Sequence, residues 1–158
     1  HEPGTDSQDH GLSHEHKSGH LQYQRDHQNG CHRRNGDHLG RFADPIPDIQ
    51  KSIDYAFSTE KSEGGFLLAA YYNAEMVGGL IMNKTGMSGY IPENILVYIA
   101  VDEAQRGKGF GGQIINKAFE IAKGDVKLHV EYDTPAKRLY ERLGVNNKYG
   151  EMRFQRNN

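Results

Sequence analysis

The chain has 158 residues, a formal net charge of −2, a pI near 6.5 and a single cysteine, Cys31. That balance excludes the basic stripe of a nucleic-acid binder, and one Cys excludes an internal disulfide. No apolar run approaches the ~18 residues of a membrane span, and no charged-then-apolar leader opens the sequence. The expectation is a soluble, cytoplasmic protein of one domain, monomeric or homodimeric, with no nucleic-acid or membrane partner.

The hydrophobic content of 35% is unevenly spread. Residues 1–42 hold eight of the nine His but only six hydrophobic side chains: Leu12, Leu21, Tyr23, Cys31, Leu39 and Phe42. Such a segment cannot repay its ordering entropy. It reads as a disordered, His-rich lead-in whose removal to residue 40 should leave most of the stability in place, and residues 43–158 as the folded domain. One alternation in it, His20 to Gln24, is a candidate edge strand. His14-Glu15-His16 lacks a fixed ligand spacing, so a solvated tail is preferred to a metal site.

The elements follow in chain order. Pro47 opens a helix over 47–59 with Ile49, Ile53 and Phe57 on one face. Phe66–Tyr72 and Met76–Met82 flank a three-residue turn, Asn73-Ala74-Glu75, as a β-hairpin. Ile95–Val101 is a continuous apolar run, suited to a strand buried on both faces. Phe110, Ile114, Ile115, Ala118, Phe119 and Ala122 form a helical stripe that Gly124 ends. Val126, Leu128 and Val130 alternate as a strand. Thr134 caps a helix with Pro135 at its first position, and Gly144 stops it. Lys148–Phe154 is a candidate last strand. A hairpin feeding a βαβα unit predicts an α/β fold with a mixed sheet and helices on it.

Between the apolar strand and its helix lies Gln105-Arg106-Gly107-Lys108-Gly109-Phe110-Gly111-Gly112. Four glycines allow close approach of a ligand to the backbone, and the helix that follows offers unpaired N–H groups. Together they make an anion site, with Arg106 and Lys108 adding positive charge. Gly107-x-Gly109-x-x-Gly112 also satisfies the dinucleotide fingerprint, with Glu131 at the distance of a ribose-binding acid. Two facts oppose an NAD site: residues 102–106 separate the glycines from the strand, and too little chain remains for further βα units.

Arg106-Gly107-Lys108-Gly109-Phe110-Gly111 resembles the Arg/Gln-x-x-Gly-x-Gly/Ala signature of the GNAT acetyltransferases. Tyr98 to Gly109 is similar to that family's fourth strand and the start of its third helix. Leu128–Ala136 is similar to its fifth strand and fourth helix, and Leu139-Tyr140-Glu141-Arg142-Leu143-Gly144-Val145 to its Leu-Tyr-x-x-x-Gly-Phe element. The resemblance covers about residues 46–155 and leaves Cys31 outside.

The resemblance implies a GNAT-like mixed sheet and transfer of acetyl from acetyl-CoA to a small-molecule or peptide amine, in a ternary complex, without a metal. It implies that Arg106, Gly107, Lys108, Gly109, Phe110, Gly111 and Gly112 hold the pyrophosphate, and that the backbone of Ile99, Ala100 and Val101 holds pantetheine. Asp133 and Ala136 complete the donor site, although Asp stands where the family commonly has Asn. Tyr140 matches the tyrosine beside the CoA sulfur, as the acid for the leaving thiolate; by helical spacing alone it is a core residue. The family's acid on strand four is replaced here by Leu96-Val97-Tyr98-Ile99. Glu93, Tyr98 through water, and His129 are the remaining candidates for moving the amine's proton. Two further readings stay open: a non-catalytic CoA-binding module, and a metal-binding His-rich tail on a passive domain.

Overall fold

The computed structural model describes residues 20–26 and 47–157. Its strands are β1 (Gln22–Asp26), β2 (Gly65–Tyr72), β3 (Glu75–Lys84), β4 (Asn94–Val101) and β5 (Val126–Leu128), in one sheet of that order. The first three pairings are antiparallel and β4–β5 is parallel. The helices are α1 (Pro47–Ala56), α2 (Phe110–Ile121) and α3 (Pro135–Arg142). The mixed sheet with flanking helices agrees with the sequence expectation.

Alternation on β2 and β3 sorts the core into two layers. Phe66, Leu68, Ala70, Leu80 and Met82 face Ile114, Ile115 and Ala118 of α2 and Tyr140 of α3. Leu67, Ala69 and Ile81 face Ile49, Ile53 and Ala56 of α1. The sheet is thus covered on both sides, which is why its central strands read as unbroken apolar runs. Each fully buried Leu or Ile contributes about 1.5–3 kcal/mol.

Four expectations need correction. The hairpin loop is two residues, not three: Tyr72 pairs with Glu75, and Asn73 and Ala74 both take positive φ, 50° and 64°. This is a type I′ turn, whose twist matches the strands it joins. The 1–42 segment is not wholly outside the domain, because β1 extends the sheet along β2. Leu21 and Tyr23 pack into the α2 layer, and the Arg25 guanidinium sits 4.9 Å from the Phe66 ring centroid. An edge strand with an exposed Arg25 on the face shared by Leu21 and Tyr23 lacks the apolar third residue that would have marked it. His14-Glu15-His16 and Cys31 lie outside the described residues.

β4 is not buried on both faces: of its eight side chains only Asn94 and Leu96 are buried, and Val97 to Val101 are half-exposed. The cause is β5, which stops at Leu128 instead of Val130 and so covers only the start of β4. Finally, Lys148–Phe154 is no strand; Met152 and Phe154 are 96% and 84% exposed.

Candidate active site

β4 pairs with β3 from end to end, but with β5 only through Asn94, Leu96 and the residue between them. Beyond Leu96 and Leu128 the two strands carry no pairing, so the flank of β4 from Val97 to Val101 faces no strand among the described residues. Backbone N–H and C=O groups on such a flank require partners. An extended ligand lying along it would supply them, as a strand does when added to a sheet edge.

At the root of this wedge β4 carries a bulge. Ile81 pairs with Tyr98 and Met82 with Leu96, leaving Val97 as the extra residue. Val97 and Tyr98 consequently both lie on the α1 face, while Leu96 and Ile99 lie on the α2 face. A bulge re-aims backbone groups that regular pairing would consume.

The Gly-rich turn stands at the far end of β4. Asp102 N–H donates to the Val77 carbonyl at 2.7 Å, and the Asp102 carboxylate accepts from Ala104 N–H, so the chain leaves the strand through a 3-10 turn, Glu103–Gln105. Gly107 and Gly109 each have φ 79°, and a Cβ at either would meet nothing within 4 Å. Gly109 is the N-cap of α2 and has no side-chain cap. The first N–H groups of the helix are therefore open to an anion. Arg106 and Lys108 are exposed; Arg106 Nε–H donates to the Val101 carbonyl at 3.4 Å and Lys108 to Gln105 Oε1 at 2.8 Å.

Three residues of the motif also pack against the rest of the fold. A Cβ on Gly111 would lie 3.5 Å from Leu139 Cδ2, and one on Gly112 3.6 Å from Leu139 Cδ1. These two glycines let α2 and α3 approach each other. The Phe110 ring is buried, with its centroid 5.2 Å from that of Tyr72, so only its backbone faces the turn.

Tyr140 is 6% exposed and shares one apolar cluster with Ile99 and Val101 of β4 and with Val130, which follows β5. Burial raises its pKa above the ordinary tyrosine value, so it stays protonated at neutral pH and has a proton to donate. Core packing and a place beside the wedge are thus both true of it. Thr134 does not cap α3 with its side chain: its hydroxyl donates to the Glu131 carbonyl at 3.0 Å. Asp133 and Ala136 are exposed.

Glu93 is not brought to the wedge mouth. It precedes β4, at the opposite end from the turn, and its carboxylate accepts from Asp125 N–H at 2.8 Å. That bond lowers its pKa, making it a poorer base. Asn94, which sequence reasoning passed over, works beside it: its buried amide donates to the carbonyls of Lys123 and Asp125 and so fixes the start of β5 against β4. Sequence reasoning also missed the bulge and the early end of β5, because neither has a residue signature of its own.

Among the described residues the single parallel pair, β4–β5, does not fit a dinucleotide fold, which needs several parallel strands. A family model described as the acetyltransferase (GNAT) family matches residues 21–145. The chain belongs to this GNAT family. The match begins at β1, not at residue 46, and its span includes position 31.

Solved structures share the fold. An aminoglycoside acetyltransferase from an uncultured soil metagenomic sample, in complex with sisomicin, has a TM-score of 0.60 at 15% identity, covering 87% of this chain and 97% of its own. A possible acetyltransferase from Clostridium difficile 630 has a TM-score of 0.61 at 16% identity, covering 87% and 99%. A ribosomal-protein-alanine N-acetyltransferase from Brucella melitensis biovar Abortus 2308 has a TM-score of 0.56 at 18% identity, covering 86% and 99%. No curated protein sequence matches the chain.

Proposed function

We propose that this GNAT protein transfers acetyl from acetyl-CoA to an amine by direct attack in a ternary complex. The observation that carries the reading is the loss of β4's parallel partner after Leu96, with an uncapped helix N-terminus waiting at the other end of the exposed flank. Pyrophosphate would rest on the turn of Gly107 and Gly109, with Arg106 and Lys108 beside it. Pantetheine would hydrogen-bond the backbone of Ile99, Ala100 and Val101, and the thioester would lie at the bulge.

The amine nitrogen attacks the thioester carbon, the C–N bond forms and the C–S bond breaks. Tyr140, held protonated by burial, would give the leaving thiolate its proton. The amine's own proton would leave through water near Tyr98, which lies on the α1 face beside the bulge. Glu93 has no part in this scheme, because its carboxylate holds the Gly124–Asp125 loop.

One observation favours the alternative of a non-catalytic CoA-binding module: β4 between Asn94 and Val101 carries no carboxylate. Amine-dependent release of thiol from acetyl-CoA separates the two. With a panel of butylamine, spermidine, an aminoglycoside and an Ala-ended peptide, the proposal expects release matched by N-acetylated product for at least one member. Binding of acetyl-CoA without release under any of them supports the module instead.

A further inference from the structure

β5 loses its pairing to β4 after Leu128, yet Val130 still packs into the α2 layer with Val126 and Leu128. The strand alternation therefore runs on through His129 and turns its side chain to the opposite, α1 face. His129 is exposed, and no hydrogen bond or ion pair engages its imidazole among the described residues.

Register says where it stands. Leu96 and Leu128 are the last rung between β4 and β5. The next residue on β5 is His129. The next on β4 is the bulged Val97, followed by Tyr98, both on the α1 face. Neighbouring strands lie about 4.8 Å apart at a rung, and these two part beyond it. His129 thus faces the bulge across the root of the wedge, where an amine nitrogen or a water enters between the strands. Other bases are worse placed. Glu93 is held by Asp125 N–H, and β4 carries no carboxylate. By the same alternation the charged neighbours of His129 on its own strand and face are Lys127, before the root, and Glu131, two residues or about 7 Å further out. Tyr98 is the titratable group that faces it from β4.

We propose that His129 is the general base of the transfer, receiving through the water near Tyr98 the proton that the attacking amine gives up. The proposal rests on the acetyl-transfer reading above. Imidazole is the side chain whose ordinary charge change falls between about pH 5 and 8, so it can accept a proton in one turnover and release it before the next. As the nitrogen adds to the thioester carbon it becomes positively charged, and its N–H proton passes through the water to the imidazole. The C–S bond then breaks, and the thiolate takes the Tyr140 proton. His129 releases its proton to solvent and Tyr140 recovers one, so amine and thioester become amide and thiol. The two proton transfers fall on opposite faces of the sheet: the base on the α1 face, the acid in the α2 layer.

His129→Gln keeps a polar, hydrogen-bonding side chain at an exposed position and cannot take the proton. Turnover of the best amine of the panel should fall about tenfold or more at pH 8, with acetyl-CoA affinity and melting temperature unchanged. The ratio of wild-type to variant kcat/KM for that amine should be level above about pH 8. It should shrink toward one as the pH falls through about 5–8, because a protonated imidazole is no base. His129→Glu, which supplies a different base, should recover part of the lost rate. A fully active His129→Gln, or a lowered rate whose ratio to wild type does not change with pH, overturns this proposal and leaves the acetyl-transfer reading standing. A wild type that binds acetyl-CoA but acetylates no amine overturns both.

Discussion

The turn from Gln105 to Gly112 is eight consecutive residues running from the end of the 3-10 turn into the first turn of α2, whereas the α1 face beside the bulge draws on β1, β2, β3, β4 and α1. The first region is made of backbone: positive φ at Gly107 and Gly109, an uncapped helix start, two flanking cations. The second is made of side chains that meet only because strands align, as Asp26, Leu67, Ile81 and Tyr98 do in one row across the sheet. A contiguous backbone site can be read from a motif. A face assembled across strands depends on register, and register is invisible until the pairing is known.

The comparison breaks most visibly at β1, the edge of the assembled face. A chain beginning at residue 27 loses Leu21, which is 7% exposed, together with five residues of pairing to β2. Leu21 alone is worth about 2 kcal/mol, and the pairing adds to it, so the melting temperature should fall by about 10 °C or more. Acetyl-CoA affinity in whatever remains folded should be nearly unchanged, because the turn is two strands and a helix away. An unaltered melt would return the N-terminal segment to the role of a dispensable lead-in.

Tyr140 sits between the regions, and Tyr140→Phe sharpens the division. The ring keeps its packing with Leu139, Leu143 and Phe110. If the hydroxyl protonates the thiolate, turnover falls about tenfold to a hundredfold while acetyl-CoA affinity holds, since water replaces only part of general acid catalysis. A fully active variant with a small change in melting temperature would make Tyr140 a core residue only.

The hairpin offers a control outside both regions. Ala74 has φ 64°, a left-handed conformation that costs an L side chain about 1 kcal/mol and a glycine nothing. Ala74→Gly, which completes the preferred Asn-Gly type I′ turn, should raise stability by up to about 1 kcal/mol in a denaturant melt, leaving turnover unchanged. A loss of stability would mean that the turn is not of this type in solution.

These contrasts also explain what was legible beforehand. The helices and central strands were, because Ile49, Ile53, Ile114, Ile115 and the β2–β3 runs carry the periods of buried faces. β1 was only half legible, since Gln22 and Gln24 face the α1 side and the exposed Arg25 lies over Phe66 on the other. The Gly-rich turn was legible as glycine spacing, but not the difference within it: Gly107 and Gly109 are open, while Gly111 and Gly112 face Leu139. Glu93 was chosen for proximity along the chain, which says nothing about the Asp125 N–H that occupies it.

The donor site is the centre of the account, and calorimetric titration of acetyl-CoA and NADH into wild type and Gly109→Ala tests it most directly. A Cβ at Gly109 would strain a φ of 79° and project into the open space before the α2 N-terminus. With a melt confirming that the variant is folded, the account predicts that acetyl-CoA binds the wild type, binds Gly109→Ala about tenfold more weakly, and that NADH binds neither. Equal acetyl-CoA affinity in both proteins, or preferential binding of NADH, would contradict it.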